Sequence, residues 1–467
     1  MLTYDFQKAE GPMYAYVYQC IKEDIIKGNL QPGEKLPSKR TFAHNNGIST
    51  ITIQNAYDQL ISEGYVYTLP KRGYYVAKIE GIRRLPKEAG ISLDIHVPEE
   101  KENYWADLSN NHMNPDNFPF SVWAKLSRET ISKKSSELME VSPTGGTFEL
   151  RQAIAEHLKS FRGMLVDPNQ IVIGAGTEYL YGVLIQLLGY DKNYCIENPG
   201  YQKLAKIYQQ HQITCSYGDM DEEGIMPKAL EKSKAQIAHI CPTHHFPTGI
   251  TMPASRRYEI LAWANEKEGR YIIEDDYDSE FRLSGKPIPT LFGIDACEKV
   301  IYMNTFSKSL SPTIRISYMI LPAHLANEFY RRLSFYACTV SNFEQYTLAE
   351  FIHQGYFEKH INRMRLYYTR QRRQLMDIIK KSPLGEKCEI LPNHSGLHFL
   401  IKLDTGCSDR KVIERLKKKG IRISSVGEYY VSPNENSRHL FIVNYSNIDM
   451  DQMEKVCEEI FQSISEK

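Results

Sequence analysis

From about residue 105 onward, short apolar runs alternate with amphipathic stretches of helical spacing. Strands that alternate with helices are joined by crossovers, and crossovers favour a parallel sheet with helices packed on its faces. The pattern therefore predicts an α/β domain with a largely parallel sheet. After about residue 342, helices and then two further strands predict a smaller C-terminal α+β subdomain. The predicted strands include residues 171–173, 271–273, 300–303, 396–402 and 439–444.

The first eighty residues follow a different pattern, with three stretches of helical spacing, each followed by a glycine, and then two strand-like runs. In the third stretch, apolar residues recur at i, i+3, i+4, i+7 and i+8, so one face of that helix is buried. Three helices and a hairpin predict a winged helix-turn-helix, which is a DNA-binding arrangement. The predicted helices cover residues 13–27, 39–45 and those after Ser49, and the predicted strands cover residues 65–68 and 74–77.

Polar side chains on the exposed face of the third helix suit base edges and phosphates in a major groove. Residues at the second helix and at the hairpin tip would contact the phosphate backbone or a minor groove. Residues 1–80 hold nine Lys and Arg against eight Asp and Glu, so binding should depend on placed contacts and dimerisation. The same pattern also fits a small helical bundle with ordinary solvated faces. The predicted contacts to double-stranded DNA are Ser38, Arg40, Ser49, Thr50, Thr52, Asn55 and Arg72.

Lys308 follows the apolar run 300–303 within a short polar segment. Open α/β sheets bind ligands at the carboxyl ends of their strands, where this lysine is expected. Lysine forms a Schiff base with aldehydes, and pyridoxal 5′-phosphate (PLP) is the aldehyde that most often uses one. A lone lysine after a strand is usually solvated surface, however. PLP is therefore predicted only if other segments supply the remaining parts of its site.

Three other segments offer those parts. Asp275 and Tyr277 follow the apolar run 271–273 and provide a carboxylate for the pyridine nitrogen and a phenol for the ring hydroxyl. Residues 174–177 lie between a strand and a helix, where backbone N–H groups favour phosphate. Each segment alone is weak evidence for a PLP site. The order in which all of them occur along one chain is stronger evidence. The further predicted phosphate contacts are Gly176, Thr177, Thr305, Ser307 and Arg315, the last through a bidentate bond.

Two known families resemble these two regions. Segments 36–40, 47–53 and 56–64 resemble the GntR-type winged helix domain, with a departure at Thr50, where that family commonly has a base-reading arginine. Residues 105–460 resemble fold-type I PLP-dependent aminotransferases. That resemblance implies that Lys308 is the Schiff-base lysine, that Asp275 pairs with the pyridine nitrogen and Tyr277 contacts the ring hydroxyl, and that Tyr201 lines the pocket. The matching segments are 143–145, 150–151, 174–177, 197–201, 246–249, 275–277 and 305–315.

The combination of the two domains resembles the MocR/GabR family of bacterial regulators. The resemblance implies a PLP-dependent transcription factor that acts as a homodimer, with each DNA-binding domain over the partner's body. The predicted divisions are a DNA-binding domain at 1–78, a linker at 79–104 and an aminotransferase-like domain at 105–467. The small-molecule effector would be PLP itself or an amine or amino acid that joins it. The alternatives are an active aminotransferase with a DNA-binding domain and a repressor that has lost PLP.

Three positions depart from the aminotransferase pattern. Phe246 stands where an asparagine usually bonds the cofactor hydroxyl, and Ile442 stands where an arginine usually grips the substrate carboxylate. Lys203 replaces an arginine that tends to occur in amino-acid-sensing relatives. The expected substitutes for the missing cation are Arg438 or Arg422. Loss of that cation favours sensing over transamination.

Overall charge and cysteine usage exclude several classes of protein. Lys and Arg total 57 and so do Asp and Glu, so net charge gives no reason to expect a polyanion or membrane-surface partner. Nine cysteines are scattered without a C-x-x-C pair, which is typical of reduced thiols and not of a zinc site. The apolar stretch near residues 180–188 is too short for a membrane span, and residues 1–6 lack a secretory pattern. We expect a cytoplasmic protein.

Overall fold

The computed structural model describes residues 4–6, 9, 11–79, 103–109, 113–282, 288–391 and 396–465. The chain divides into two compact units, Met1–Glu100 and Lys101–Lys467, which we call the head and the body. The predicted linker, residues 79–104, lies outside the described residues except at 79, 103 and 104. Its extent therefore stays a prediction.

The head contains three helices and one hairpin. The strands pair antiparallel with Val66 opposite Val76, and each lies one residue from its predicted position. The glycine after the first helix, Gly28, has φ 74°, a left-handed conformation that ends a helix. The predicted winged helix-turn-helix is confirmed. Its elements are α1 (Met13–Lys27), α2 (Lys39–Asn46), α3 (Thr50–Ser62), β1 (Val66–Leu69) and β2 (Gly73–Val76).

The predicted apolar stripe of α3 forms the centre of the head's core. Ile53, Ala56, Tyr57 and Leu60 are fully buried, and Ile61 is partly buried beside them. The Tyr57 hydroxyl donates to a backbone carbonyl oxygen at 3.0 Å, so its burial leaves no polar group unsatisfied. Since each fully buried side chain of this size contributes about 1.5–3 kcal/mol, this stripe fixes α3 against the rest of the head.

The body is built from thirteen helices and fourteen strands within the described residues. The helices are α4 (Phe120–Lys133), α5 (Phe148–Arg162), α6 (Thr177–Leu188), α7 (Gln202–Gln210), α8 (Pro227–Lys232), α9 (Ala254–Asn265), α10 (Leu291–Ile294), α11 (Phe306–Ser309), α12 (Ala323–Leu333), α13 (Asn342–His353), α14 (Tyr356–Lys381), α15 (Asp409–Lys418) and α16 (Met453–Ser465). The strands are β3 (Ala106–Asp107), β4 (Ile171–Gly174), β5 (Asn193–Asn198), β6 (Thr214–Asp221), β7 (Gly224–Ile225), β8 (Ile237–Ile240), β9 (Tyr271–Asp275), β10 (Val300–Thr305), β11 (Ser317–Ile320), β12 (Cys388–Ile390), β13 (His398–Leu403), β14 (Ile421–Arg422), β15 (Ser424–Ser425) and β16 (Leu440–Asn444).

Eight strands form the central sheet, in the order β4-β11-β10-β9-β8-β5-β6-β7. The neighbours from β10 through β6 are parallel, whereas β11 is antiparallel to both β10 and β4. It follows that β4 runs in the same direction as β9 and β10. The predicted α/β domain with a largely parallel sheet is confirmed.

The central sheet is buried on both faces. Neighbouring residues of β9 belong to different apolar clusters: Ile272 packs with Ile260 of α9, and Ile273 packs with Leu184 of α6. Successive side chains of a strand point to opposite faces, so a sheet covered by helices on both sides needs apolar residues at every position. This explains why its strands appear in the sequence as continuous apolar runs.

A smaller sheet forms the C-terminal subdomain, in the order β12-β13-β16-β15. β13 and β16 are antiparallel and contain the two strands that were predicted near 396–402 and 439–444. The short strands β14 and β3 pair in parallel and attach the first residues of the body to this subdomain. No helix in the described part of the chain is both long and apolar enough to cross a membrane.

Serine side chains begin two of the three helices of the head. Ser38 Oγ accepts the Thr41 N–H at 3.1 Å, and Ser49 Oγ accepts the Thr52 N–H at 3.1 Å. The first N–H groups of a helix have no partner within it, so each cap satisfies an otherwise unpaired donor. The two caps fix where α2 and α3 begin.

Replacing Ser49 with alanine should loosen α3, because the cap contributes about 1 kcal/mol. We expect amide hydrogens of residues 52–62 in the full-length protein to exchange about fivefold faster. Ser49→Asp retains a capping oxygen and should restore the protection, measured by hydrogen exchange and mass spectrometry. Equal exchange in Ser49→Ala and the wild type would show that the cap does not stabilise α3.

Candidate functional site

The residues predicted to contact DNA lie on the surface of the head. Six of the seven are exposed, and Thr52 is half-buried. Ser38 and Ser49 also serve as helix caps, so their hydroxyls already accept backbone hydrogen bonds. Each hydroxyl also hydrogen-bonds a threonine hydroxyl, Ser38 with Thr41 at 2.7 Å and Ser49 with Thr52 at 2.8 Å. The structure thus leaves the predicted contacts accessible.

Ile51, in the first turn of α3, was not among the predicted DNA contacts. Its side chain is 71% exposed beside Thr50, on the helix that was predicted to enter the major groove. An aliphatic side chain there is suited to the methyl group of thymine. The sequence signal was available, because Ile51 falls off the buried stripe that begins at Ile53.

The directions of the strands bring the predicted cofactor residues to one edge of the central sheet. β4 and β10 end at Gly174 and Thr305, and both residues pair with Ser317, the first residue of β11. Asp275 ends β9, the parallel neighbour of β10. Lys308 lies three residues after the end of β10, and Arg315 lies two residues before the start of β11. Both residues therefore lie near this same edge of the sheet. Ligands of open α/β sheets bind there.

Asp275 is held by two side chains behind it. Tyr181 donates its hydroxyl hydrogen to Asp275 Oδ2 at 2.8 Å, and His239 Nε2 lies 3.5 Å from the same oxygen. Burial and then the charge of Asp275 raise the pKa of Tyr181 well above its ordinary value, so the phenol stays protonated. Asp275 Oδ1 is buried and has no hydrogen-bond partner among the described residues. One carboxylate oxygen is fixed, and the other is available to a ligand.

The neighbouring acidic residues are engaged elsewhere. Asp276 Oδ2 accepts the Tyr302 hydroxyl at 2.7 Å and forms an ion pair with buried Arg162. Asp278 Oδ1 lies 2.7 Å from His244 Nδ1, and both side chains are buried. Asp276 Oδ1 is also buried without a partner among the described residues, but Arg162 already compensates the charge of that carboxylate. This ion pair distinguishes Asp276 from Asp275, which remains the predicted partner of the pyridine N–H.

Lys308 lies in α11, directly after β10, and its side chain is half-buried. Burial lowers the pKa of its amine, and the charge of Asp278 partly opposes that shift. A lower pKa increases the fraction of neutral amine, the form that attacks a carbonyl carbon. Within the described part of the chain, its ammonium group makes no hydrogen bond or ion pair. Lys308 therefore has the chemistry of a Schiff-base lysine.

Gly176 and Arg315 form a cradle between β4 and α6. Gly176 has φ 94°, and a Cβ atom built on it would collide with the Arg315 guanidinium. Arg315 itself has φ 52°, a left-handed conformation that costs an arginine about 1–2 kcal/mol. Its Nη2 lies 3.2 Å from Glu178 Oε2, and Glu178 also pairs with Lys203. Arg315 thus lies against Gly176, as a phosphate contact requires, but already pairs with a carboxylate.

The hydroxyl groups on either side of α11 differ in their hydrogen bonding. Thr305 Oγ1 accepts the Ser307 N–H at 3.1 Å and the Ser317 hydroxyl at 2.8 Å, so it is used within the protein. Ser307 Oγ is buried without a partner among the described residues. Ser307 therefore fits the predicted phosphate contact better than Thr305. Thr177 is the first residue of α6, where the helix leaves its N–H free.

Two tyrosines were predicted to contact the ring or line the pocket. Tyr277 donates its hydroxyl hydrogen to the His244 carbonyl oxygen at 2.9 Å, a bond that must break before it can donate to a ring hydroxyl. Tyr201 precedes α7 and is 51% exposed. Partial burial raises the pKa of Tyr201, and the charges of Lys203, Glu178 and Asp275 also act on it. Tyr201 therefore lies within electrostatic range of Asp275 and the cradle.

Phe246 and Ile442, the two apolar residues that depart from the aminotransferase pattern, belong to one hydrophobic cluster. Ile442 of β16 is buried, and Phe246 is partly buried against the same group of side chains. The Phe246 ring meets the rings of His398 at 5.3 Å and Tyr429 at 5.0 Å between centroids, edge to face. Leu400 and Val426 are buried in the same cluster. We call Phe246, Leu400, Val426, Tyr429 and Ile442 the apolar wall.

The two arginines expected to replace the missing cation lie elsewhere. Arg438 is exposed and pairs with Glu435 at 2.8 Å. Arg422 lies 3.6 Å from Asp107, and its guanidinium sits 5.9 Å from the centre of the Tyr104 ring. Arg438 and Arg422 are therefore both paired with carboxylates, although the charge of Arg422 also acts on Tyr429 of the apolar wall.

Comparison with known proteins agrees with this geometry. Residues 105–460 match the family model for aminotransferase class I and II, and residues 13–76 match that for bacterial regulatory proteins of the gntR family. The HTH-type transcriptional regulator YdeL of Bacillus subtilis is 37% identical over 422 residues, 90% of each chain. The chain belongs to the MocR/GabR family.

This MocR/GabR-family chain is also similar to two regulators of other bacteria. One is the probable rhizopine catabolism regulatory protein MocR of Rhizobium meliloti, 27% identical across 97% of this chain and 94% of that protein. The other is the pyridoxine biosynthesis regulator PdxR of Corynebacterium glutamicum, 28% identical across 95% and 94%. A kynurenine aminotransferase of Pyrococcus horikoshii shares the fold of the body, with a TM-score of 0.66 and 23% identity over 78% of this chain and 91% of that one.

Glu197 of β5 is a further buried carboxyl group at the same sheet edge. Its Oε2 accepts the Cys241 N–H at 2.8 Å. Burial raises the pKa of Glu197 to about 8, and the charge of Asp275 acts in the same direction. Glu197 is therefore mostly protonated at neutral pH. Neither Glu197 nor His239 was predicted, although His239 is a lone polar residue inside the apolar run 237–240.

Replacing Glu197 with glutamine should change the pH dependence of stability. The folded-state pKa lies above the ordinary value of 4.5, so wild-type stability should fall as the pH rises from about 4.5 to 8. Glu197→Gln removes this proton and should flatten that fall by more than about 1 kcal/mol, measured by urea unfolding between pH 5 and 9. Parallel stability curves for the two proteins would contradict a raised pKa.

Proposed function

We propose that this MocR/GabR-family chain is a transcriptional regulator whose head binds double-stranded DNA and whose body binds PLP through Lys308. The observation that carries the proposal is Asp275 Oδ1, a buried acceptor without a partner among the described residues, at the sheet edge from which Lys308 also starts. A buried acceptor left unpaired costs about 1–3 kcal/mol. The protonated pyridine nitrogen of PLP is a donor that would satisfy it.

The remaining residues fit the other parts of the cofactor. Arg315 and the N–H groups of Gly176 and Thr177 would hold the phosphate, with the unpaired hydroxyl of Ser307 as a further donor. Lys308 would hold the aldehyde carbon. Bound PLP supplies an aldehyde that exchanges between primary amines and a ring that withdraws electrons. We divide the chain into the DNA-binding domain 1–78, the linker 79–104 and the PLP-binding domain 105–467.

Sensing is favoured over transamination by the apolar wall. Catalysis on an amino acid needs a group that fixes the substrate carboxylate, because a misplaced substrate loses most of its rate advantage. Ile442 and Phe246 supply no hydrogen-bond donor from their side chains, and Arg438 and Arg422 are paired elsewhere. The effector is PLP itself or a primary amine that joins it.

DNA affinity changes only if the effector stabilises one conformational state of the protein more than another. Lys308 would bind the aldehyde of PLP, and Asp275 would bind its pyridine ring. The apolar wall would contact the apolar part of an amine. Because the target is bacterial DNA, the protein would act in the cytoplasm.

We further propose that the protein is a homodimer. The body exposes several large apolar side chains near residues 137–144 and 335–343, a surface on which the two segments are joined by hydrogen bonds from Asn342 to the carbonyl oxygens of Glu137 and Glu140. Exposed apolar surface of this kind is typical of protein interfaces. The exposed residues are Met139, Val141, Phe335, Tyr336 and Phe343.

Replacing Lys308 with alanine should abolish covalent attachment of PLP. In the wild type, borohydride reduction after incubation with PLP should attach one label to the peptide that contains residue 308, detected by peptide mass spectrometry. Lys203→Ala is the matched control, because Lys203 lies in the same region but pairs with Glu178. Operator binding by Lys308→Ala should lose its response to PLP while the head stays folded. A label of unchanged stoichiometry in Lys308→Ala would contradict the assignment.

The protein should show no multiple-turnover transamination. A panel of amino donors with a 2-oxo acid acceptor should yield at most one equivalent of product per PLP-loaded protomer, because no cation fixes the donor carboxylate. The measurement is steady-state product formation by chromatography. Sustained turnover with any donor would instead support an active aminotransferase with a DNA-binding domain.

A further inference from the structure

Two contacts connect the apolar wall to segments of the proposed PLP site. Phe246 lies two residues after His244, whose imidazole bonds Asp278, the carboxylate that acts on the Lys308 amine. The Tyr429 carbonyl oxygen accepts the Gly200 N–H at 3.2 Å, which places Tyr429 beside the residue that precedes Tyr201. The wall is therefore connected to the segment that carries Tyr201 and, through His244, to Asp278.

Several elements of the body contribute apolar side chains to this wall. Ile442 and Leu400 are directly opposite each other on β16 and β13, and both are buried. Val426 packs with them, and the rings of Phe246 and Tyr429 pack against the same cluster. Placing an ionised carboxylate against such a surface removes its hydration without a compensating partner.

Two cations at the proposed phosphate cradle are already paired with a carboxylate. Lys203 and Arg315 both contact Glu178, and Arg315 would also bind the cofactor phosphate. The hydrogen bond from Lys203 and then the charges of Lys203 and Arg315 keep the pKa of Glu178 below its ordinary value, so it stays ionised. An incoming carboxylate would have to displace Glu178 from one of its partners.

From this arrangement we infer that the effector is a primary amine with an apolar body and no carboxylate. The inference rests on the proposed function, because the amine reaches the site by joining the PLP held by Lys308. The amine nitrogen replaces the Lys308 nitrogen on the aldehyde carbon, and Lys308 leaves as the free amine, so no oxidant or reductant is needed. The aromatic edges of Phe246 and Tyr429 would then contact the apolar body of the amine.

The test compares amines with the amino acids from which they differ by one carboxylate. PLP-loaded full-length protein is titrated with phenethylamine against phenylalanine and with isoamylamine against leucine, following visible absorption and operator affinity. Each amine should half-saturate the absorption change at a concentration at least tenfold below that of its amino acid, and the amine should also change operator affinity. Equal or tighter binding of the amino acids overturns the inference.

The outcomes separate this inference from the proposed function. If borohydride labels no residue at position 308, the proposed function itself fails. If the label is present but neither amines nor amino acids change the absorption, the proposed function stands and the inference fails.

Two variants at one position test the wall directly. Phe246→Asn adds a hydrogen-bonding group and should reduce the preference for amines over amino acids to less than threefold. Phe246→Leu is the matched control, keeps the surface apolar and should retain at least a tenfold preference. Thermal unfolding checks that both variants fold, and if either does not, the wild-type panel decides alone. A preference that is unchanged in a folded Phe246→Asn protein overturns the role assigned to the wall.

Discussion

The shared direction of β4, β9 and β10 is the constraint on which the rest of the body depends. Because these strands run the same way, their carboxyl ends deliver Gly176, Asp275 and Lys308 to one edge although they are far apart in sequence. The antiparallel β11 begins at that edge and adds Arg315. A reversal of any of these strands would move its residue to the opposite edge, so the site is a consequence of topology.

The carboxyl groups near this edge differ in their hydrogen bonds, ion pairs and pKa values. Asp275 is anchored by Tyr181, Asp276 is neutralised by Arg162, and the raised pKa of Glu197 keeps that carboxyl group mostly protonated. Like charges close together disfavour ionisation of one another, and burial adds to the effect. Asp275 keeps one buried oxygen without a partner among the described residues, and burial lowers the pKa of Lys308.

Much of this organisation could be predicted from the sequence, because apolar runs report buried strands directly. The position of Asp275 after one run and Lys308 after another was enough to place both at a sheet edge. The supporting contacts could not be predicted, since His239 and Tyr181 approach Asp275 from elements that spacing does not relate to β9. Ion pairs could not be predicted from the sequence either. The sequence contains Arg315, but it does not indicate that Glu178 forms an ion pair with it. Ser38 and Ser49 were predicted as DNA contacts, and the structure shows that their hydroxyls also cap α2 and α3.

The chain combines a GntR-type head with an aminotransferase-like body. In the proposed function, the body recognises a ligand: the apolar wall offers no cation from its own side chains, and Asp275, Lys308 and Arg315 would hold PLP. The most direct test is a crystal structure of the protein soaked with PLP. We expect continuous electron density from Lys308 Nζ to the cofactor, with the pyridine nitrogen within hydrogen-bonding distance of Asp275 Oδ1. Density for PLP at another lysine, or a ring nitrogen remote from Asp275, would contradict the central claim.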